Sequence, residues 1–395
     1  MDFQSINPLN VRLNLLSGNL LPMTDNSSFP TFWRLYSIFV WLFELFYTVT
    51  LIAGCFFVPI EKVLNDGIVI LIVIVEANFQ IIQILTHTTL VEQLIRKLNA
   101  ALNTEDENLK KIVITNLKPM ETPFKFYLTI GTLSASFWCC MPLPLIFEKD
   151  TFYYSDFRAP GIYSKEPFSS SVFLLGTVLT VINNIYIFIK KVSVDIYVTH
   201  LISLITSQYQ YIASRFVLMF RNTSQQDNSS FLESNTRVDV SVEREIKKLC
   251  RQHNNILYIT LMLKKLLSVN IFFIYLNNVF RFCFLGVMLS NISASFLEGS
   301  MVFMYGSGSI TQFYILCNCF QKLTDATSEI TDKAFHEDWN RFSLSVKRTF
   351  LMVIMASNNM DLRISLFERF NLSLPSFMSI LNQSYSIALL LLRVK

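Results

Sequence analysis

The sequence predicts an all-α membrane protein with seven transmembrane helices, a cytoplasmic N-terminus, an extracellular C-terminus and cytoplasmic anchor helices. Three observations carry that prediction. The 395 residues are 52% hydrophobic with a mean hydropathy of +0.42, more apolar side chain than one or two soluble domains would bury. Seven stretches, 35–58, 67–86, 124–147, 170–190, 266–289, 298–320 and 375–393, supply the roughly 20 apolar residues that a bilayer core requires of a helix. Lysine and arginine then fall almost wholly on one side of these stretches.

Residues 1–34 form the cytoplasmic N-terminal segment. They hold no basic segment followed by an apolar core and a cleavage site, so the first span is expected to be its own insertion signal. Residues 35–240 carry spans one to four. Between spans three and four, the loop 148–168 is aromatic-rich and punctuated by Pro160, Gly161 and Pro167, which predicts a folded extracellular lid. The polar stretch 222–241 reads as a cytoplasmic loop. Residues 241–357 combine spans five and six with anchor helices, and 358–395 form a linker and the last helix. No internal repeat is present, which weakens a transporter reading. With 36 Phe against 10 Gly, the helices are expected to pack through bulky side chains.

Orientation follows from the basic residues. Arg12, Arg34, Arg96, Lys97, Lys110, Lys111, Lys118, Lys190, Lys191 and the cluster from Arg244 to Lys265 share one side with Lys322, Lys333, Lys347 and Arg348. The other side offers Lys62, Lys149, Arg158 and Lys165, which places the N-terminus inside. On the basic side, Ile246, Leu249, His253, Ile256 or Leu257, Thr260 and Leu263 recur at helical spacing, as do Phe342, Val346, Phe350 and Val353. These stripes predict non-spanning helices in a collar where subunits meet, or helices lying on lipid.

The last span is amphipathic in an unusual way. At about 100° per residue, Ser379, Asn382, Gln383, Ser386, Leu390 and Arg393 share one arc, opposite Ile380, Leu381, Ile387 and Ala388. Such a face either hydrogen-bonds to other helices or lines water. In the second case Leu390 with Val394 makes a hydrophobic constriction, and several copies of the chain are needed to enclose a conduit.

From the sixth span onward the chain resembles an insect odorant receptor. The residues that carry this are QFYILCNCFQKLTDATSEITDKAFHEDW (312–339) and NLSLPSFMSILNQSYSIALLLL (371–392), with Phe335 standing where the family has a tyrosine before Trp339. The resemblance implies an odorant-gated, nonselective cation channel of four subunits, each giving its last helix to the pore. It implies as partners a small volatile odorant and a coreceptor subunit in a heterotetramer, within the plasma membrane of a sensory dendrite. The short loop between spans four and five resembles that of a tuning subunit. A self-sufficient homotetrameric gustatory-type channel is the alternative, and a G-protein-coupled receptor would need the opposite orientation.

The resemblance also places the ligand in the outer half of the bundle. There the expected lining is Ile70, Val73 and Ile74 on span two, then Phe137, Trp138 and Met141 on span three. Span four adds Phe173, Gly176, Thr177 and Thr180, span six adds Met301, Met304 and Tyr305, and the lid adds Tyr154. Such a pocket draws affinity from burial and selectivity from shape.

Other chemistry finds no support. The net charge of +4 is too small to argue for nucleic acid. His87, His200, His253 and His336 have no metal-ligand spacing, YGSGSIT lacks the lysine of a phosphate loop, and no cofactor or enzymatic activity is expected. Glu44 and Glu76 lie inside spans and are expected to pair or to face water.

Overall fold

Almost every turn of this chain is helical, because a backbone in hydrocarbon must satisfy its own hydrogen bonds. A computed structural model describes residues 1–25, 29–103, 106–227, 235–291, 296–336, 339, 342–359 and 372–394, and describes side chains at all of these except 65, 222–227, 235–240, 290–291, 334, 357–359 and 391–394. Each expected span overlaps a helix for most of its length, the first and third running past the helix ends: α3 (Thr31–Cys55), α5 (Ile68–Thr86), α7 (Glu107–Cys140), α8 (Ser170–Asp227), α9 (Asn235–Asn291), α10 (Phe296–Phe335) and α12 (Leu374–Val394). Short helices α1 (Phe3–Ile6) and α2 (Pro8–Leu16) precede them, and α4 (Ile60–Lys62), α6 (Thr88–Leu102) and α11 (Leu344–Asn359) complete the set.

Among the described residues, the helices holding spans one to five are long and apolar enough to cross a membrane. Spans six and seven lie in α10 and α12. The third span is shorter than expected: α7 stops at Cys140, and a 3₁₀ turn (Leu143–Phe147) follows. Pro142 and Pro144 explain this, since proline removes an N–H and clashes with the preceding turn.

Helices α8 and α9 are 58 and 57 residues long, about 86 Å at 1.5 Å per residue, nearly three times a bilayer core. They therefore build the non-spanning half as well. The polar stretch 222–241 is shorter as a loop than expected, because α8 runs to Asp227 and α9 starts at Asn235; residues 228–234 lie outside the described residues. Around α8, residues 192–208 are buried on every face, so this segment is a central pillar. Against it pack α2, α6 through Val91, Leu94, Ile95 and Leu98, the lower part of α7, and α10.

Both predicted stripes are buried: Ile246, Leu249, His253, Leu263, Val346 and Phe350 are all at most 1% exposed. They are covered by this chain's own core, not by a neighbouring subunit or by lipid. Phe350 meets Phe216 and Phe220 at ring distances of 6.0 and 5.3 Å, and Trp339 meets Phe350 at 5.5 Å.

The lid is folded. Strands β1 (Thr151–Phe152) and β2 (Phe168–Ser169) pair antiparallel, with Phe152 opposite Phe168. Phe152, Tyr154, Phe157, Phe168 and Phe173 form a separate aromatic core, in which Phe152 stacks on Phe173 at 4.3 Å.

Candidate functional site

Below the lid, α5, α7, α8, α9 and α10 line a partly open cavity of about 90 Å³. Its apolar wall includes Val69, Ile70, Val73, Trp138, Ile187, Phe188, Leu285, Met288, Met301 and Val302. Polar groups are few: Tyr127, Ser134, Asn184, Arg281, Tyr305 and Ser309. Most are already engaged. Ser134 donates to the Met301 carbonyl at 3.2 Å, and the Asn184 amide donates to Tyr47 Oη and the Thr180 carbonyl at 3.0 and 2.9 Å. A site of this kind holds an apolar molecule by burial and has little to offer a charged one.

Five of the expected lining residues come together here: Ile70, Val73, Trp138, Met301 and Tyr305. The others sit elsewhere. Ile74 is 2% exposed in a second cluster with Tyr47 and Leu51, and Phe137 is 56% exposed on the outer face of α7. Met141 lies in the turn after α7, and Met304 is half-buried outside the cavity wall. Tyr154 and Phe173 belong to the lid core. Thr177 bonds back to the Phe173 carbonyl at 2.9 Å, and Thr180 shares a 2.9 Å hydrogen bond with Tyr163. Gly176 does leave room, but lid aromatics take it: a Cβ there would lie 2.7 Å from Phe157 Cζ.

The roof joins lid to cavity. Arg158 stacks over Trp138 at 5.7 Å, donates to Glu298 at 2.7 Å, and lies 3.7 Å from Asp66. The floor is ionic. Glu76 on α5 pairs with Arg281 on α9 and with Lys191 on α8 at 3.0 Å; Lys191 also pairs with Asp195. Gln312 on α10 closes the network, accepting from Arg281 at 3.1 Å and donating to Asp195 at 3.0 Å. Two cations and two anions thus balance, each side chain at most 2% exposed. Glu44 similarly pairs with Lys190, whose ammonium lies 3.5 Å above the Trp41 ring. Both intramembrane carboxylates are therefore paired, and by lysines that positional reasoning places at the cytoplasmic end of the fourth span. Lys190 and Lys191 are fully buried inside the bundle.

Sequence reasoning missed Arg281, although a signal was there: one arginine amid the apolar run 266–289, opposite in sign to Glu76 of another span. It also missed Tyr127, Phe188 and Met288, for which spacing carries no signal.

The last helix presents the polar face that its periodicity predicts. Ile380, Ser384 and Ala388 are buried against α9, and Ser379, Asn382, Gln383, Ser386 and Leu390 are exposed. A shallow groove runs along Ser379, Asn382, Gln383 and Ser386. Ile387, expected on the buried side, is 39% exposed at its edge. The side chains of Arg393 and Val394 lie outside the described residues. Packing to α9 is close: Ser384 donates to the Val279 carbonyl at 3.1 Å, and a Cβ on Gly286 would approach Ala388 Cβ to 3.0 Å.

Comparison with known proteins follows from this geometry. The model of the 7tm odorant receptor family matches residues 62–385. Among solved structures, the chain is similar to the insect olfactory receptor OR5 from Machilis hrabei in complex with eugenol, with a TM-score of 0.79 and 16% identity over 99% of this chain and 98% of that one. The same receptor in a second structure gives a TM-score of 0.80 and 14% identity over the same shares. No curated protein matches by sequence.

Proposed function

The chain belongs to the 7tm odorant receptor family, and from that premise we propose that it is the odorant-binding, tuning subunit of a ligand-gated cation channel that works with a coreceptor. The observation that carries this reading is the mostly apolar cavity sharing one helix, α9, with the last helix. A small volatile odorant, the class to which the eugenol bound by the Machilis receptor belongs, occupies that cavity.

At about 90 Å³ the cavity is well below the 300 Å³ or more typical of small-molecule pockets. An odorant must therefore widen it, and the adaptable side chains Met288 and Met301 are the ones that can yield. The ligand consequently binds the widened state more tightly than the closed one, which is the differential affinity that gating requires. Arg281, Leu285 and Met288 carry that widening along α9, whose Val279 and Gly286 grip α12 at Ser384 and Ala388. This route differs from one through span six alone. The exposed face of Ser379, Gln383, Ser386 and Leu390, continued by Arg393 and Val394, lines the pore with the same faces of the other subunits. The N-terminus is cytoplasmic, on the side of the basic residues.

Whole-cell current during a volatile panel, recorded with and without an insect odorant coreceptor, tests this. Odorant-evoked cation current in the pair alone is expected. Current from this chain alone would overturn the coreceptor-dependent reading, and no current in either would overturn the channel.

A further inference from the structure

A second, larger cavity of about 390 Å³ lies at the other end of the bundle, between α2, the lower part of α7 and the pillar segment of α8. Its wall has two chemistries. Arg12, Lys118 and Lys125 bring three cations, with Glu121 as the accompanying carboxylate. The rest is largely apolar, including Leu9, Leu117 and Phe124. Lys125 and Glu121 pair at 2.6 Å, but Arg12 and Lys118 make no ion pair among the described residues, so the site keeps a net positive charge.

His200 forms part of the wall at 1% exposure. Asn7 fixes its tautomer. Asn7 Oδ1 accepts the Asn10 N–H at 3.2 Å as the cap of α2, which turns its amide nitrogen to His200 Nδ1 at 3.3 Å. Nδ1 therefore accepts, and the ring proton resides on Nε2. The ring is buried, with the Phe3 backbone as a further hydrogen-bonding neighbour. Burial holds the ring neutral by pushing its pKa down to about 3, against a weaker opposing pull from the Phe3 backbone.

We propose that this cavity binds the phosphate-bearing headgroup of an anionic phospholipid, with Arg12 and Lys118 holding the phosphate and the apolar wall taking the glycerol end of the chains. Size argues for the lipid: at about 30 Å³ per water, the space holds roughly a dozen waters, far more than one free phosphate needs. Position argues for it as well. Lys118 and Lys125 flank residue 124, where the third span is expected to enter the membrane, and so stand at headgroup level. Lipid occupancy would brace α2 against α7 and α8.

The test uses the full chain, co-purified with a partner subunit where that is needed, in nanodiscs of phosphatidylcholine with a minor share of phosphatidylserine. Lipid retained after detergent extraction is read by native mass spectrometry. Wild type is expected to retain phosphatidylserine preferentially, by roughly ten-fold. The double variant Arg12→Gln/Lys118→Gln, both at exposed positions, loses the preference; Lys118→Arg keeps it, as does the distant control Arg348→Gln. Equal retention in wild type and the double variant overturns the site. Inorganic phosphate displacing the lipid's effect and stabilising the protein alone would assign the site to a free anion and overturn the lipid. Odorant-evoked current is scored separately, so that failure of lipid binding and failure of the receptor reading are distinguishable.

Discussion

Replacing Glu76 by glutamine removes one charge from a set of four that balance. At 3.0 Å from Lys191 and closer still to Arg281, its carboxylate is fully buried. At an effective dielectric of about 20, one unit pair at that separation is worth about 5 kcal/mol before desolvation is counted. Glu76→Gln leaves two cations facing Asp195 alone, and the expected cost is about 3–5 kcal/mol. Arg281→Met alone leaves an unbalanced anion and costs about as much. The double variant restores neutrality through Lys191 and Asp195, so it should be less damaging than either single change, with a coupling of at least about 3 kcal/mol. The assay is the apparent melting temperature of detergent-solubilised protein, where each single variant should fall by roughly 5 °C or more. A double variant whose loss equals the sum of the two would refute the view that these charges act as one neutral unit.

Gly131→Ala puts a Cβ 2.0 Å from Phe188 Cζ and drives that ring toward the cavity; about 1–3 kcal/mol of destabilisation and a weaker odorant dose–response are expected, measured by thermal shift and half-maximal concentration. Gly286→Leu should wedge α9 away from Ala388, reducing maximal current while a competition assay shows odorant binding retained. Tyr305→Ala enlarges the cavity and should shift odorant sensitivity without altering ion selectivity; reversal potentials in mixed cations check the second half. His200 and His253, outside the spans, have pKa values pushed by burial down to about 3 and about 4, against about 6.5 for the free side chain. The unfolded chain therefore binds more protons below pH 6.5, so stability is full above that value and falls as pH drops toward 4, which a pH series of melting temperatures will show.

Much of the architecture was legible without coordinates. Each expected span is mostly helical because about 20 consecutive apolar residues have few alternatives in a membrane protein. The stripes through Ile246 and Val346 marked buried faces, since a 3.6-residue period of apolar side chains puts them on one side of a helix. What covers those faces was not legible. A stripe needs burial but does not specify its cover, and here that cover is α8 and α10 of the same chain together with the packing of α9 and α11 on each other.

The candidate site divides in the same way. Composition and periodicity determined by themselves that this chain is helical and membrane-embedded, with an aromatic lid and a last helix carrying one polar face, because these are properties of one segment and its solvent. Only the tertiary structure decided that Ile70, Trp138, Met301 and Tyr305 share a wall with Phe188 and Arg281, that Gly176 receives lid aromatics, and that Lys190 and Lys191 serve as buried counter-ions. Those are relations between helices distant in sequence, set by how side chains interlock and how buried charges must be neutralised, and no single segment contains them.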